Sequence, residues 1–173
     1  MNKDNVSQDW QEKLFSEFSF LKPIGNNNAF EKWGFECARG WYRLLQECFE
    51  SIVKRYADDG IKPDEIDFVP VQIKEKFGTL RLYYEYEGVP SGIMAIDILN
   101  TGESIRFEPK TPEDLDKTKE QRRKDIRSIV QATEEKSRHI CELCGGDGEL
   151  RKDLRWIRTM CNFCYIKYKD SHS

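Results

Sequence analysis

A chain of 173 residues with 38% apolar and 34% charged residues can build one ordinary core beneath a densely charged surface. No stretch approaches the roughly 18 consecutive apolar residues a spanning helix needs, and residues 1–10 lack the basic-then-apolar order of a secretory signal, so the expectation is a cytoplasmic protein without a membrane partner and with reduced thiols. The net charge of −3 is uneven: residues 1–116 carry 14 Lys+Arg against 22 Asp+Glu, and residues 117–173 carry 14 against 9. A basic final third suits an anionic partner, or simply a helix kept soluble by mixed charge.

Ser7 is placed to cap a first short helix with Trp10, Leu14, Phe15 and Phe18 on its apolar side. Residues 23–28 (PIGNNN) read as a loop. The next helix is the clearest in the chain. Trp41, Leu44, Leu45, Cys48, Phe49, Ile52, Val53 and Tyr56 follow helical period without a break, and Asp58-Asp59-Gly60 ends the run. Cys48 inside that stripe and Cys37 before it read as small core residues.

Two hairpins come next. In VQIKEK-FG-TLRLYY the loop Phe77-Gly78 pairs Ile73 with Leu82 and Val71 with Tyr84. In MAIDILN-TG-ESIRF the loop Thr101-Gly102 pairs Ile98 with Ile105, Ile96 with Phe107 and Asp97 with Arg106. The expected fold is α+β, an antiparallel sheet of about four strands packed with helices. On the outer face of the first hairpin Lys74 lies opposite Arg81, with Lys76 on the same face and Gln72 opposite Tyr83. Like charges across a ladder repel by a few tenths of a kcal/mol. Lys74, Lys76, Arg81 and Tyr83 are therefore a candidate anion or nucleotide site, against the plainer reading of a solvated face whose lysines discourage edge pairing.

Thr111-Pro112-Glu113-Asp114 has the cap, first-position proline and early acids of a helix start, and that helix should reach about Ser137. Its first half is almost wholly polar and is expected to project into solvent or fray, with Ile126, Ile129, Val130 and Thr133 forming the buried stripe. The chain thus divides into a helix-and-sheet body over residues 1–110, a connecting helix over 111–138 and a C-terminal module over 139–173.

That module holds Cys141, Cys144, Cys161 and Cys164, two C-x2-C pairs separated by 16 residues. Two residues between thiolates let a tight turn aim both sulfurs at one ion, and four soft sulfurs suit one tetrahedral zinc. Gly145 and Gly146 stand where the chain must turn sharply. An iron–sulfur cluster is the alternative, and a redox pair lacks the βαβ setting it needs. The order of knuckle, hairpin and helix is that of a treble clef, with a flatter zinc ribbon as its near relative. The only histidines are His139 and His172, and four cysteines close the shell, so the zinc is expected to be structural and the protein not an enzyme.

Three stretches together, GFECARGWYRLLQECFE (34–50), VQIKEKFGTLRLYYEY (71–86) and SRHICELCGGDGELRKDLRWIRTMCNFC (137–164), resemble a family of small bacteriophage and bacterial proteins. Its pattern is a GW-aromatic-x-LL helix, a KEKFGTLR hairpin and a C-terminal four-cysteine motif. Residues 88–125 stand outside the resemblance as an insertion. The resemblance implies a phage or mobile-element setting and supplies no catalytic residues. The functional expectation is a zinc-stabilised binding protein acting on a protein partner, a host factor if the chain is phage-borne, through aromatics such as Trp156, Tyr165 or Tyr168. The alternative is nucleic-acid or nucleotide binding by Arg122, Arg123, Lys124 and Arg127 of the helix, Arg151, Lys152, Arg155 and Arg158 of the zinc hairpin, and the Lys74, Lys76 and Arg81 sheet face. A nuclease would need a histidine–metal centre for which this sequence has no matching pair.

Overall fold

A computed structural model describes residues 5–23, 25, 27–88, 94–98, 103–107 and 116–171. Its core is organised by helix α3 (Tyr42–Asp58), where Leu44, Leu45, Cys48, Phe49, Ile52 and Tyr56 are buried as their spacing predicts. Trp41 ends a single 3-10 turn (Arg39–Trp41) leading into α3 and is fully buried. Helix α1 (Asn5–Glu17) brings Trp10 and Leu14 to the same core. Ser7 lies two residues inside α1 and so does not begin it.

After the loop, Asn28 caps a short helix α2 (Ala29–Trp33), its side-chain oxygen accepting from the Glu31 N–H at 2.9 Å. Gly34, at φ +62°, reverses the chain into strand β1 (Phe35–Glu36). β1 runs parallel to β2 (Phe68–Lys76), and β2 pairs antiparallel with β3 (Thr79–Tyr86). The β2–β3 register is the expected one at Ile73↔Leu82, Lys74↔Arg81 and Gln72↔Tyr83. It differs at Val71, which faces no partner, because Pro70 takes Tyr84 and a bulge follows. Proline has no N–H to continue the ladder there. Phe77 and Gly78 both have positive φ, +53° and +75°, as a two-residue turn matching strand twist requires.

The sheet has three strands in the order β1-β2-β3, not four. The second hairpin, β4 (Met94–Ile98) with β5 (Glu103–Phe107), forms a separate two-stranded ribbon. Its register is two residues away from that expected: Ile96 faces Ile105, Asp97 faces Ser104, and Ala95 faces Arg106. Ile98 pairs with Glu103, and the expected Thr101-Gly102 loop lies outside the described residues.

Helix α4 (Lys117–Lys136) is capped by Asp116, whose side chain accepts from the Thr118 N–H. The proposed start at Thr111–Asp114 lies outside the described residues. The polar first half of α4 does not project into solvent. Arg122 and Arg123 are each buried to 7% exposure. Arg122 lies 5.1 Å over the Tyr56 ring and pairs with Asp59, while Arg123 lies 4.3 Å over Tyr86. Arg55 bridges Asp59 and Asp125 at 2.7 Å each, Lys119 meets Asp67 at 3.1 Å, and Tyr56 donates to Asp67 at 2.5 Å. Arginine stems and planar guanidinium groups cover aromatic faces as apolar residues would. Arg122 keeps its ion pair with Asp59, whereas Arg123 Nε is buried without a hydrogen-bond partner among the described residues. Further along, Ile126 and Val130 join the main core. The end of the helix then closes the open edge of β3: Glu134 accepts from the Leu82 N–H at 2.8 Å and Ser137 from the Leu80 N–H at 2.9 Å.

Candidate metal centre

The knuckle forms because Cys141 sits in a tight turn, its carbonyl accepting from Gly145 N–H at 2.8 Å and its own N–H donating to Gly146 at 2.7 Å. Gly145 takes φ +80°, open to glycine at little strain. Strands β6 (Glu149–Arg151) and β7 (Arg158–Met160) then return the chain. Cys161 is the N-cap of helix α5 (Asn162–Asp170), and Cys164 lies in its first turn, with its N–H on the Cys161 sulfur at 3.4 Å.

The four sulfurs lie within 4.8 Å of one another. Cys144 and Cys161 Sγ are 3.8 Å apart. A tetrahedron with metal–sulfur bonds of about 2.3 Å has edges of about 3.8 Å, so the cluster has the dimensions to hold one metal ion. Electrostatics prepares part of it: the Cys164 N–H draws the Cys161 thiol down to about 7, whereas burial pushes the Cys164 thiol up. A cation at the centre would favour the thiolate at all four.

The cluster is keyed into the body at two places. At the first, Gly40 N–H donates to the Glu142 carbonyl at 2.8 Å and the Trp41 indole to the Ile140 carbonyl at 2.9 Å. A Cβ at Gly40 would collide with the Cys141 and Glu142 carbonyls, so only glycine fits. At the second, the Phe77-Gly78 turn enters the β6–β7 hairpin: Thr159 donates to the Gly78 carbonyl at 2.6 Å and Trp156 to Glu75 at 2.7 Å. Glu75 also accepts from the Gly78 N–H at 2.5 Å, so one carboxylate shapes the turn and holds the module. Between them Glu142, 1% exposed, pairs with Arg158. Burial raises the Glu142 carboxyl to about 7 against the pull of Arg158.

The other sequence-derived candidates are placed as follows. Arg81 is buried and donates to the Leu80 carbonyl at 3.0 Å, Lys74 lies 5.4 Å from the Tyr83 ring, and Lys76 lies 5.6 Å from the Phe77 ring. On that face Arg81 is buried, while Lys74, Lys76 and Tyr83 are half-buried. Arg123 is buried against Tyr86, and Arg127 is half-buried. Arg151 lies over Tyr165 and bonds Glu149, Asn162 and the Met160 carbonyl. Arg158 holds Glu142 and lies over Tyr168. Tyr165 donates to Asp153. Arg155 and Trp156 are exposed. His139 is exposed beside the cluster, and His172 lies outside the described residues. Cys48 is buried in the core and Cys37 packs against it, both apart from the cluster. The seat at residues 39–41 has a single signal in the sequence, the glycine directly before Trp41.

Among the described residues no helix is long and apolar enough to cross a membrane. Compared with protein-family models, with curated proteins and with solved structures, the chain gives no match.

Proposed function

We propose that this is a non-enzymatic zinc protein, a treble-clef-like module fastened to an α+β body, that works by holding a protein partner. The observation that carries the reading is the sulfur-only cage with one edge at tetrahedral spacing. Four thiolates around zinc leave no position for water or substrate, so the ion's role is to hold the chain. Two further features favour a protein partner over nucleic acid. Of the basic residues proposed for nucleic acid, Arg122, Arg123, Arg151 and Arg158 are engaged within the molecule. The module also presents large apolar side chains outward among its charged ones: Trp156, Phe163 and Ile166 are each more than half exposed. In the phage setting that the motifs suggest, the partner is a host factor and the site of action the host cytoplasm.

The test is affinity capture from host lysate with the zinc-loaded protein. Metal content, bound proteins, bound nucleic acid and small molecules are measured in the same eluate. One zinc per chain and a stoichiometric protein partner are expected. Recovery of nucleic acid alone would replace this reading with the nucleic-acid one.

A further inference from the structure

A cleft of about 820 Å³ opens where the seat of α3 meets the metal knuckle. One wall is helical. Arg39, Arg43 and Glu47 follow one another at intervals of one turn along the 3-10 turn and α3, all exposed. Among the described residues neither arginine makes an ion pair, although both stand in the acidic part of the chain. The facing wall is the knuckle, with Ile140 half-buried and Leu143 exposed at 39%. Gly40 and Gly145 line the cleft where the two walls touch, so no side chain closes it there. The walls are fixed to each other by the Gly40–Glu142 and Trp41–Ile140 hydrogen bonds. The cleft is therefore formed before any partner arrives, which lowers the ordering cost of binding.

We infer that this cleft binds an extended acidic peptide segment of the protein partner. The inference rests on the binding-protein reading above and names the chemistry that the partner must offer. Paired guanidinium groups one turn apart suit a carboxylate side chain, which they can grip through parallel N–H bonds. Ile140 and Leu143 opposite them suit an apolar side chain next to that carboxylate. Glu47, one turn beyond Arg43, suits a basic residue further along. The same Glu47 argues against a nucleic-acid strand, whose unbroken phosphate charge would run into a carboxylate where the cleft continues. Arginine set in a walled cleft beside apolar side chains is the composition of an interface hot spot.

The experiment is selection of displayed random short peptides on the full-length, zinc-loaded protein, with the enriched peptides then measured against variants. A fluorescent oligothymidylate is titrated in parallel. Enriched peptides should carry an acidic residue beside an apolar one, and should bind the Arg39→Ala/Arg43→Ala protein at least about tenfold more weakly. Selection on Glu47→Lys protein should exchange the basic preference for an acidic one. All three positions are exposed, so zinc content and thermal melting should match the unsubstituted protein. Enriched peptides that bind the double variant unchanged would overturn the cleft assignment and leave the binding-protein reading standing. No enriched peptide, with oligothymidylate binding that depends on Arg39 and Arg43, would overturn both. No binding of either probe would overturn the cleft assignment alone.

Discussion

The body and the metal module are held together by different physics. In the body, large side chains such as Trp41, Phe49, Ile52, Ile73, Leu80 and Leu82 are fully buried, and the elements carrying them stay together because that surface leaves water. In residues 139–171, α5 buries no side chain, and Cys141 and Met160 are the buried apolar residues among those described. There a metal ion held by the four sulfurs would substitute for a core, and hydrogen bonds to Gly40, Trp41, Glu75 and Gly78 substitute for a packed interface. A short segment can thus hold one shape at the edge of a larger domain without apolar mass of its own.

This contrast can be broken from either side. The largest effect should follow metal removal by a strong chelator, or Cys161→Ser, because a structural ion of this kind contributes on the order of 10 kcal/mol to folding. Hydrogen exchange should show amide protection lost over residues 141–164 and kept in α3. Protection that survives in the apo module would mean the cage is not what folds it. Next, Phe49→Ala should cost about 3–5 kcal/mol, seen as a lower denaturant midpoint with metal content unchanged. Third, Gly40→Ala should disturb both halves at once. Its Cβ meets the Cys141 and Glu142 carbonyls, so overpacking of about 1–3 kcal/mol should appear together with weaker metal retention in a competition titration. Normal metal affinity in that variant would show that the knuckle can move off its seat.

The smallest effect is expected at Asp59. The Arg55 hydrogen bond, aided by Arg122, holds its carboxyl below the ordinary value of 3.8. A folded-state value below the unfolded one contributes stability above pH 3.8 that disappears as pH falls through the lower folded value. Asp59→Asn should therefore melt earlier at neutral pH, and the gap should narrow as the solution is acidified below 3.8. A gap constant across thermal melts at that series of pH values would mean that hydrogen bonding, not charge, matters there.

What could be read from the chain beforehand follows the same division. The α3 stripe, the β2–β3 turn and the four cysteines were legible because each rests on local spacing: helical period, a two-residue loop, paired C-x2-C. The bulge at Val71 depended on Pro70, whose missing donor sat inside an otherwise regular strand pattern. β1 was invisible because two residues carry no period. The docked first half of α4 was misread because arginine looks like a solvated residue until its aromatic partner is known. Tyr56 and Tyr86, which receive Arg122 and Arg123, lie far away in sequence. Part of the basic set could not be placed for the same reason, since Arg151 and Arg158 face rings and carboxylates that only the fold brings near.

The caps that Glu134 and Ser137 place on Leu82 and Leu80 bear on how the chain is made. Both strands of the β2–β3 hairpin are synthesised some fifty residues before the side chains that cover its outer amides. During that interval the nascent chain carries a bare apolar strand able to recruit a neighbour. Truncation upstream of residue 134 would make that exposure permanent, and such fragments should accumulate as aggregates in place of a smaller soluble protein.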